Sequence, residues 1–199
     1  KCYNLILAVL FVLFLVPQLA LAESQMWGND VLVHQASHIY GFGMDQADKD
    51  TLLLVVSDSS TTSLRDTLYI YRSTNNGQTW NRVDSLFSAS DNERFGKIDI
   101  VAAKGNSNFV FVFWIYNKQL CYARYPYDFS SAPVLDTISD AGENVVDFAV
   151  CQNLFQDYYL FVAYQTDHDS VIFKRSLNQA DTWTDRKNLT EITPITSQP

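Results

Sequence analysis

An internal repeat constrains the fold of this chain more than any other feature of its sequence. Three segments align without gaps through a first and a second strand, and the second strand follows the first at an offset of ten residues in each copy. A period of about 50 residues is typical of one blade in a propeller. The aligned segments are Gly41–Met44 with Leu52–Val56, Asp99–Ala102 with Val110–Trp114, and Asp147–Val150 with Tyr158–Val162.

Two further strands complete each repeat. The second strands are apolar on both faces, whereas the third strands alternate, as in Leu68–Tyr71 and Val171–Lys174. A continuous apolar run indicates a strand buried on both faces, and alternation indicates one nearer the edge of a sheet. Four strands that become more polar outward predict an all-β fold, a β-propeller of four-stranded antiparallel blades. The third strands are Thr67–Arg72, Gln119–Arg124 and Ser170–Arg175, and the fourth are Asn81–Phe87, Val134–Ile138 and Thr184–Leu189.

About three blades are present, which is fewer than the roughly four to eight that usually close a propeller ring. We therefore expect an incomplete ring, or one that other chains complete. Residues 30–36 are a candidate outer strand that would close a ring, within an N-terminal segment of residues 23–40. The predicted blades span about residues 41–90, 97–138 and 145–190, and residues 191–199 form a tail or the start of another blade.

The first 22 residues have the pattern of a secretory signal peptide. Lys1 precedes an apolar stretch from Leu5 to Val16, which is too short to span a membrane, and Ala20-Leu21-Ala22 provides a small-residue cleavage site. Cleavage would leave 177 residues without a transmembrane segment and with a net charge of −9, from 22 acidic and 13 basic residues. We predict a secreted, periplasmic or cell-surface bacterial protein. This acidic charge disfavours nucleic acid and anionic lipid as partners, because both are polyanions, and we expect no nucleic-acid partner.

A turn motif recurs between the third and fourth strands. Ser73–Trp80 reads Ser-Thr-Asn-Asn-Gly-Gln-Thr-Trp, and Ser176–Trp183, at the same point of the third repeat, reads Ser-Leu-Asn-Gln-Ala-Asp-Thr-Trp. The pattern resembles the Asp-box, or bacterial neuraminidase repeat, Ser-x-Asp-x-Gly-x-Thr-Trp. Asn replaces Asp in both copies, Ala replaces Gly in the second, and the middle repeat has Tyr125–Ser130 instead. On these residues the chain resembles the Asp-box propellers of the sialidase-like superfamily.

The chemistry of this motif is structural. Ser and Asn side chains satisfy backbone groups of the turn, Gly77 permits a positive φ, and a Trp ring covers the blade junction. Asn accepts the same turn hydrogen bonds as Asp without its charge. The resemblance implies that these turns lie on the face opposite the substrate site. The residues with this structural role are Ser73, Asn75, Gly77, Thr79, Trp80, Ser176, Asn178, Thr182 and Trp183.

The opposite face carries polar loop residues. It consists of the loops between second and third strands and of the connections between repeats. Two interpretations remain open: a carbohydrate-binding face with Trp114, Tyr116 and Tyr164 as stacking platforms, or solvated loops above aromatics that belong to the core. The candidate ligand-face residues are Asp91, Glu93, Arg94, Asp140, Glu143, His168 and Asp169.

The resemblance to sialidases does not extend to their catalytic residues. Those enzymes hold the substrate carboxylate with three arginines, the first in an Arg-Ile-Pro motif, and use a Tyr–Glu nucleophile pair with an Asp acid/base. No Arg-Ile-Pro occurs here, and the first inner strand, Tyr40–Met44, contains no arginine. We therefore predict a non-catalytic binding or scaffold module for a glycan or protein ligand, with no catalytic residue assigned. The alternative is a sialidase-type exo-glycoside hydrolase whose remaining active site lies in further blades.

We expect neither a cofactor nor a metal ion. His34 and His38, at a spacing of four, would share a face of either a helix or a strand, but the sequence places no third ligand near them. Asp45, Asp48 and Asp50 form an oxygen-rich cluster that could hold Ca²⁺, although they lack the glycine of a recognised calcium loop.

Two cysteines follow the predicted signal peptide, Cys121 and Cys151. In an oxidising compartment they can pair if their strands lie side by side. The alternative is two buried thiols, because both cysteines lie in apolar alternating segments. The sequence leaves both interpretations open.

Overall fold

The computed structural model describes residues 30–36, 38–59, 66–87, 94–102, 108–153 and 159–191. The chain divides into two compact units, Lys1–Leu32 and Val33–Pro199, and the fold below is that of the second unit. The predicted signal peptide, residues 192–199 of the predicted tail, and the candidate ligand residues Asp91 and Glu93 lie outside the described residues. Within the described residues, no helix is long and apolar enough to cross a membrane.

The described part of this unit forms twelve β-strands. The predicted third and fourth strands of every repeat coincide with observed strands to within two residues. The strands are β1 (Ile39–Gln46), β2 (Leu52–Ser59), β3 (Asp66–Ser73), β4 (Asn81–Phe87), β5 (Phe95–Val101), β6 (Phe109–Tyr116), β7 (Gln119–Pro126), β8 (Val134–Thr137), β9 (Val145–Gln152), β10 (Leu160–Thr166), β11 (Val171–Ser176) and β12 (Thr184–Asn188).

The strands form three four-stranded antiparallel sheets, each built from consecutive strands. The orders are β1-β2-β3-β4, β5-β6-β7-β8 and β9-β10-β11-β12, and we call these sheets blades 1, 2 and 3. The first strands of the three blades, β1, β5 and β9, are neighbours: β5 contacts both β1 and β9. This arrangement confirms the predicted all-β fold of four-stranded antiparallel blades.

The candidate ring-closing segment contains a residue, His34, that contacts blade 1. Residues 30–36 form no strand. Instead, the His34 ring is hydrogen-bonded to the Tyr71 hydroxyl at 2.7 Å and to the Asp58 carboxylate at 3.2 Å. His34 therefore contacts blade 1 through side-chain hydrogen bonds.

The up-and-down order of the strands places their connections at two opposite ends of the blades. The β3–β4 and β11–β12 connections, which contain the Ser-to-Trp motif, lie at one end, called the turn end. The β10–β11 connection and the β8–β9 connection between blades lie at the other, called the loop end. Because consecutive antiparallel strands reverse direction, the motif and the described candidate ligand residues lie at opposite ends of the sheets.

Two apolar cores lie between the blades, and strand β6 contributes to both. Val110, Val112 and Trp114 belong to the core shared with blade 1. Phe111 and Phe113 belong to the core shared with blade 3. Successive side chains of a strand point to opposite faces, which is why β6 has to be apolar throughout.

The gapless sequence alignment of the repeats does not extend to strand pairing. The aligned residues pair as Phe42 with Val56, Ile100 with Val112, and Phe148 with Tyr164. The partners are 14, 12 and 16 residues apart, because the hairpins differ in length. These differences are even, so each side chain keeps its face of the sheet. Phe42 therefore occupies the position at which Ile100 and Phe148 are buried, yet it is 72% exposed.

Candidate functional site

A cluster of charged and hydroxyl groups lies at the loop end, between blades 2 and 3. Its centre is Glu143, in the β8–β9 connection. One carboxylate oxygen, Oε2, accepts hydrogen bonds from the Tyr164 hydroxyl at 2.6 Å and from the Asp140 backbone N–H at 2.8 Å. The other, Oε1, accepts from the Arg186 guanidinium at 2.7 Å. Glu143 thus joins the β8–β9 connection to strands β10 and β12.

A buried lysine completes the cluster. Lys174 Nζ donates to the Ile138 carbonyl at 2.8 Å and to Asp140 Oδ1 at 2.6 Å, and only 8% of its side chain is exposed. Arg186 Nε lies 3.1 Å from Asp140 Oδ2. Two carboxylates and two cations therefore neutralise one another, as a buried ammonium group requires.

The environment keeps both acid groups of the central pair in their ordinary protonation states. Burial raises the pKa of Glu143, but hydrogen bonds from Tyr164 and Arg186 outweigh it and leave the pKa below its usual value. Burial, and then the Glu143 carboxylate, holds the pKa of Tyr164 well above its usual value. Glu143 is therefore ionised and Tyr164 protonated at neutral pH. A glycosidase general acid needs the opposite shift, a carboxyl group with a raised pKa.

The predicted residues His168 and Asp169 lie beside this cluster and are exposed. The β10–β11 loop is tied to the β8–β9 connection because Asn144 Nδ2 donates to Asp167 Oδ2 at 2.8 Å. His168 lies 2.7 Å from the other Asp167 oxygen and has 81% of its side chain exposed. Asp169 has a φ of 57°, in the left-handed region that an aspartate tolerates. The structure therefore brings Asp140, Glu143 and this loop together at one junction.

Arg94 belongs to a different junction. Its guanidinium lies 4.7 Å from the centre of the Tyr40 ring and donates a hydrogen bond to the Tyr40 hydroxyl, between β1 and the start of β5. Nothing in the described residues brings further arginines to it as a carboxylate clamp would require.

The aromatic residues considered as stacking platforms belong to the core. Trp114 and Tyr164 are 7% and 1% exposed, and Tyr116 packs half-buried against the core between blades 1 and 2. Their strands carry them inward, because the positions lie on faces that pack against a neighbouring blade. The interpretation as sugar-stacking surfaces is therefore wrong for Trp114 and Tyr164.

The two motif turns have the same hydrogen bonds. In the first, Asn75 Oδ1 accepts from the Ser73 hydroxyl at 3.0 Å and from the Thr79 N–H at 2.9 Å, and the Gly77 N–H donates to Ser73 Oγ at 2.9 Å. The second turn repeats this set within 0.1 Å through Ser176, Asn178, Ala180 and Thr182. The Trp80 indole N–H donates to the Gly77 carbonyl at 3.0 Å, while the Trp183 ring packs edge-on against Tyr122.

The aspartates considered for Ca²⁺ have separate protein partners. Asp45 accepts from the Ala102 N–H at 3.0 Å, Asp48 from the Tyr127 hydroxyl at 2.6 Å, and Asp50 from the Asn76 side-chain amide at 3.0 Å. Among the residues that the structure describes, no three His, Cys, Asp or Glu side chains are grouped as a metal site would need.

The two cysteines are free thiols. Cys121 is half-buried on β7 and Cys151 is exposed on β9, in different blades. The interpretation that both are buried is therefore wrong for Cys151, whose side of blade 3 faces away from the core.

Sequence reasoning missed Lys174 and Arg186. Lys174 had a recognisable pattern, because it stands between Ile172 and Ser176 on the inward-facing side of β11. A lysine at such a position indicates a buried charge with a partner. Arg186 lies on an exposed strand, and its pairing with Glu143 depends on how blade 3 approaches the β8–β9 connection.

Comparison with known proteins identifies the fold. The sequence matches no family model and no curated protein. Its structure is similar to that of an α-L-arabinanase from Penicillium chrysogenum, with a TM-score of 0.50 and 14% identity over 75% of this chain and 49% of that one. A sialidase from Streptococcus pneumoniae gives a TM-score of 0.48 and 13% identity over 64% and 20% of the two chains. An exo-β-1,3-galactanase from Phanerochaete chrysosporium gives 0.45 and 8% over 70% and 32%.

This chain spans less than half the length of each of these three proteins. Identities of 14% and below relate the folds and nothing finer. The likeness to the arabinanase therefore supports the β-propeller architecture and leaves the activity to be argued from the residues.

Proposed function

We propose that this chain is part of a secreted Asp-box propeller that binds a glycan or protein ligand without catalysis, at the loop end between blades 2 and 3. The observation that carries the proposal is the internally neutralised cluster of Asp140, Glu143, Lys174 and Arg186. The acidic and basic side chains of the cluster form ion pairs with one another, and the pKa of Glu143 is lowered. Such a cluster rigidifies two loops but has no free acid to donate a proton to a leaving group.

The exposed groups beside the cluster suit ligand binding. His168 and Asp169 stand on a loop that Asn144 holds in place, because its side chain donates to Asp167 Oδ2 at 2.8 Å and its carbonyl accepts from the Asp167 N–H at 2.8 Å, so the loop is preorganised. The net charge of −8 disfavours anionic ligands, so a neutral glycan or a basic protein segment fits this surface better than a sialylated glycan.

A glycan array that contains neutral and sialylated glycans tests this proposal. We expect the array to retain neutral glycans, and we expect His168→Ala combined with Asp169→Asn to weaken that binding at least fivefold without changing the melting temperature, because both side chains are exposed and asparagine tolerates the left-handed backbone of Asp169. Lys187→Ala, on an exposed strand position of the same blade, is the matched control. If the doubly substituted chain binds the glycans as strongly as the unmodified chain, the binding surface lies elsewhere.

The alternative is an exo-glycoside hydrolase of sialidase type. It is favoured by one observation, the hydrogen bond of 2.6 Å between Tyr164 and Glu143, which is the residue pair that the resemblance implies for sialidase nucleophiles. The 1% exposure of Tyr164 opposes it, because a buried hydroxyl cannot reach a substrate. A fluorogenic sialoside separates the two functions. If the unmodified chain hydrolyses the sialoside and the Glu143→Gln variant does not, the chain is a hydrolase and the binding proposal is wrong.

Export is a separate part of the proposal. It rests on the apolar stretch Leu5–Val16 and the site Ala20-Leu21-Ala22. Expression of the chain in a bacterial host followed by N-terminal sequencing of the periplasmic fraction tests it. We expect the exported protein to begin at Glu23, and accumulation in the cytoplasm with residues 1–22 intact would contradict export.

A further inference from the structure

Blades 1 and 3 each have one face that packs against blade 2 and one face, called the open face, that no other described blade covers. The open face of blade 1 includes Phe42 and Met44 of β1, which are 72% and 61% exposed. The open face of blade 3 consists of the alternate positions of β9, β10 and β11 that point away from blade 2, and its apolar residues are Ala149, Phe161, Ala163, Val171 and Phe173. A sheet face that stays in water normally carries polar side chains, so two faces this rich in apolar residues indicate packing partners.

The open face of blade 1 has the character of a face that packs against a preceding blade. In the alignment of the repeats, Phe42 is equivalent to Ile100 and Phe148, which are buried in the cores that blades 2 and 3 share with the blade before them. The ring of His34 lies 4.9 Å from that of Tyr69 and covers part of this face on β3, whereas Phe42 on β1 stays exposed. Blade 1 therefore has an apolar inner strand at the position where blades 2 and 3 have a neighbour.

The open face of blade 3 has the character of a face that packs against a following blade. Ala149 is equivalent in the alignment to Gly43 and Val101, and both of these residues lie against the next blade. A Cβ atom at Gly43 would come within 2.8 Å of the Asp99 Cα, and Val101 belongs to the same core as Phe148. The open faces of blades 3 and 1 are therefore the two halves of one more junction of the kind that joins blades 1, 2 and 3.

A hollow on the open face of blade 3 is large enough for an aromatic side chain. Its volume is about 240 Å³, and Ala149, Ala163 and Val171 line it together with the Lys97–Asp147 ion pair. For comparison, an apolar cavity of roughly 150 Å³ accommodates a benzene ring. Because Val101 and Phe148 share a core at the junction of blades 2 and 3, the same register places the Phe42 equivalent of a following blade against Ala149, in this hollow.

The three blades cannot join their own two open faces, because a propeller ring closes with about four blades or more. A second copy supplies the complementary face at both ends. Two copies of three blades each make six, which lies within the roughly four to eight blades of closed rings, and closure forms two equivalent junctions at once. We propose that two copies of this chain pair head to tail in one six-bladed ring, with Phe42 of each copy in the hollow of the other. The proposal rests on the fold and not on ligand binding at the loop end, so either can fail without the other.

Sedimentation velocity of the full chain tests the assembly. We expect a dimer, and we expect Phe42→Asp and Ala149→Asp each to raise its Kd at least tenfold, because either change would bury a carboxylate in the junction. Both residues are exposed in the single copy, so circular dichroism should show that each variant keeps its fold. The matched control is Leu135→Asp, at an exposed apolar position of β8 in blade 2, which should stay dimeric. A monomer of the unmodified chain, assemblies larger than a dimer, or equal weakening by Leu135→Asp would overturn the proposal.

A cysteine pair tests the register of the junction. Asp45 of blade 1 accepts a hydrogen bond from the Ala102 N–H of blade 2 at 3.0 Å, and the equivalents of these residues at the new junction are Cys151 of one copy and Met44 of the other. Cys151 is an exposed free thiol, so Met44→Cys should form a disulfide between copies when diamide oxidises the two thiols. Non-reducing gel electrophoresis measures the cross-linked dimer, and adding Cys151→Ser should abolish it. Cross-linking by Leu135→Cys to the same extent, or none by Met44→Cys, would contradict the head-to-tail pairing.

Discussion

At the scale of single residues, an amide replaces a carboxylate in both motif turns without loss of the turn geometry. Asn75 and Asn178 each accept two hydrogen bonds through Oδ1 and donate a third, from Nδ2 to the Thr hydroxyl four residues on, at 2.9 Å. An aspartate could accept the same bonds, and the threonine hydroxyl would then donate. The turn therefore depends on the acceptor oxygen and not on the charge.

The first prediction concerns this acceptor. Asn75→Ala and Asn178→Ala should each lower the free energy of unfolding by about 1 kcal/mol, the usual cost of losing a side-chain cap. Asn75→Asp should remain close to the unmodified chain. Urea unfolding measures the effect, with Thr74→Ala, at an exposed position of the same turn, as the control. Equal stability of the Asn75→Ala and Thr74→Ala variants would show that the side-chain oxygen is dispensable.

The second turn also accepts an alanine where the motif has glycine. Ala180 has a φ of 64°, and left-handed backbone costs an L residue about 1 kcal/mol or more. The residue is 2% exposed and its methyl group belongs to the core between blades 2 and 3. Burial of one methyl group is worth about 0.8 kcal/mol, which offsets much of that cost.

The second prediction follows from the lowered pKa of Glu143. A carboxyl group with a lowered folded-state pKa adds stability above its unfolded pKa of about 4.3, and that stability disappears as the pH falls through the folded value. Glu143→Gln should therefore destabilise the chain by about 1–3 kcal/mol at pH 7, the range for hydrogen bonds to charged groups. The difference should shrink steadily below about pH 4.

Urea unfolding over this pH range measures the Glu143 effect. Glu191→Gln, on an exposed residue of the same blade, serves as the control for a change of net charge. A difference between Glu143→Gln and the unmodified chain that stays constant down to about pH 3 would contradict the role of the ionised carboxylate.

At the scale of elements, the close approach of inner strands limits what β1 can carry. A Cβ atom at Gly43 would come within 2.8 Å of the Asp99 Cα on β5, whereas one at Gly41 would meet only the Ile98 side chain at 3.5 Å. The first distance is a clash with backbone, which cannot rotate away. The second is ordinary van der Waals contact.

The third prediction uses this pair of glycines. Gly43→Ala should separate β1 from β5 and lower the free energy of unfolding by about 1–3 kcal/mol, the usual cost of overpacking. Gly41→Ala, two residues away on the same face, should change it by less than about 0.5 kcal/mol. Thermal unfolding of both variants provides the comparison. Equal losses would mean that strand propensity, and not the contact with Asp99, sets the requirement for glycine.

At the scale of the whole molecule, blade 2 connects its neighbours because each face of β6 belongs to a different core. If packing is lost on one face of β6, the strand also loses its position in the core on the other face. The stabilities of the two cores are therefore coupled. The three blades should unfold as one cooperative unit.

The fourth prediction tests this cooperativity. Val110→Ala affects the core with blade 1 and should cost about 2 kcal/mol, and Ile115→Val affects the core with blade 3 and should cost about 1 kcal/mol. Each should lower the midpoint of a single transition, coincident by far-ultraviolet circular dichroism and tryptophan fluorescence. Two separated transitions in either variant would show that the blades unfold independently.

Local patterns predicted most of the fold. The unbroken apolar run of Val110–Trp114 indicated a strand buried on both faces, as β6 is, whereas the alternation of Leu68–Tyr71 indicated a strand nearer the edge, and β3 lies between β2 and β4 and is mostly buried. Pairing registers were not predictable, since hairpins of different length change the partner of each inner-strand residue. For the candidate site, Asp140 and Glu143 were identified from their loop, but the residues that neutralise them were not.

The sequence by itself determined the all-β class, the four-strand repeat and the two polar turns, because the periodicity of apolar residues along a chain indicates which side chains are buried. Tertiary structure alone decided that Lys174 meets Asp140 and that Arg186 meets Glu143, 34 and 43 residues away. It also decided that the Tyr125 hydroxyl is buried beside the Asp84 carboxylate. Such contacts depend on how neighbouring blades pack against each other, which no local pattern of side chains encodes.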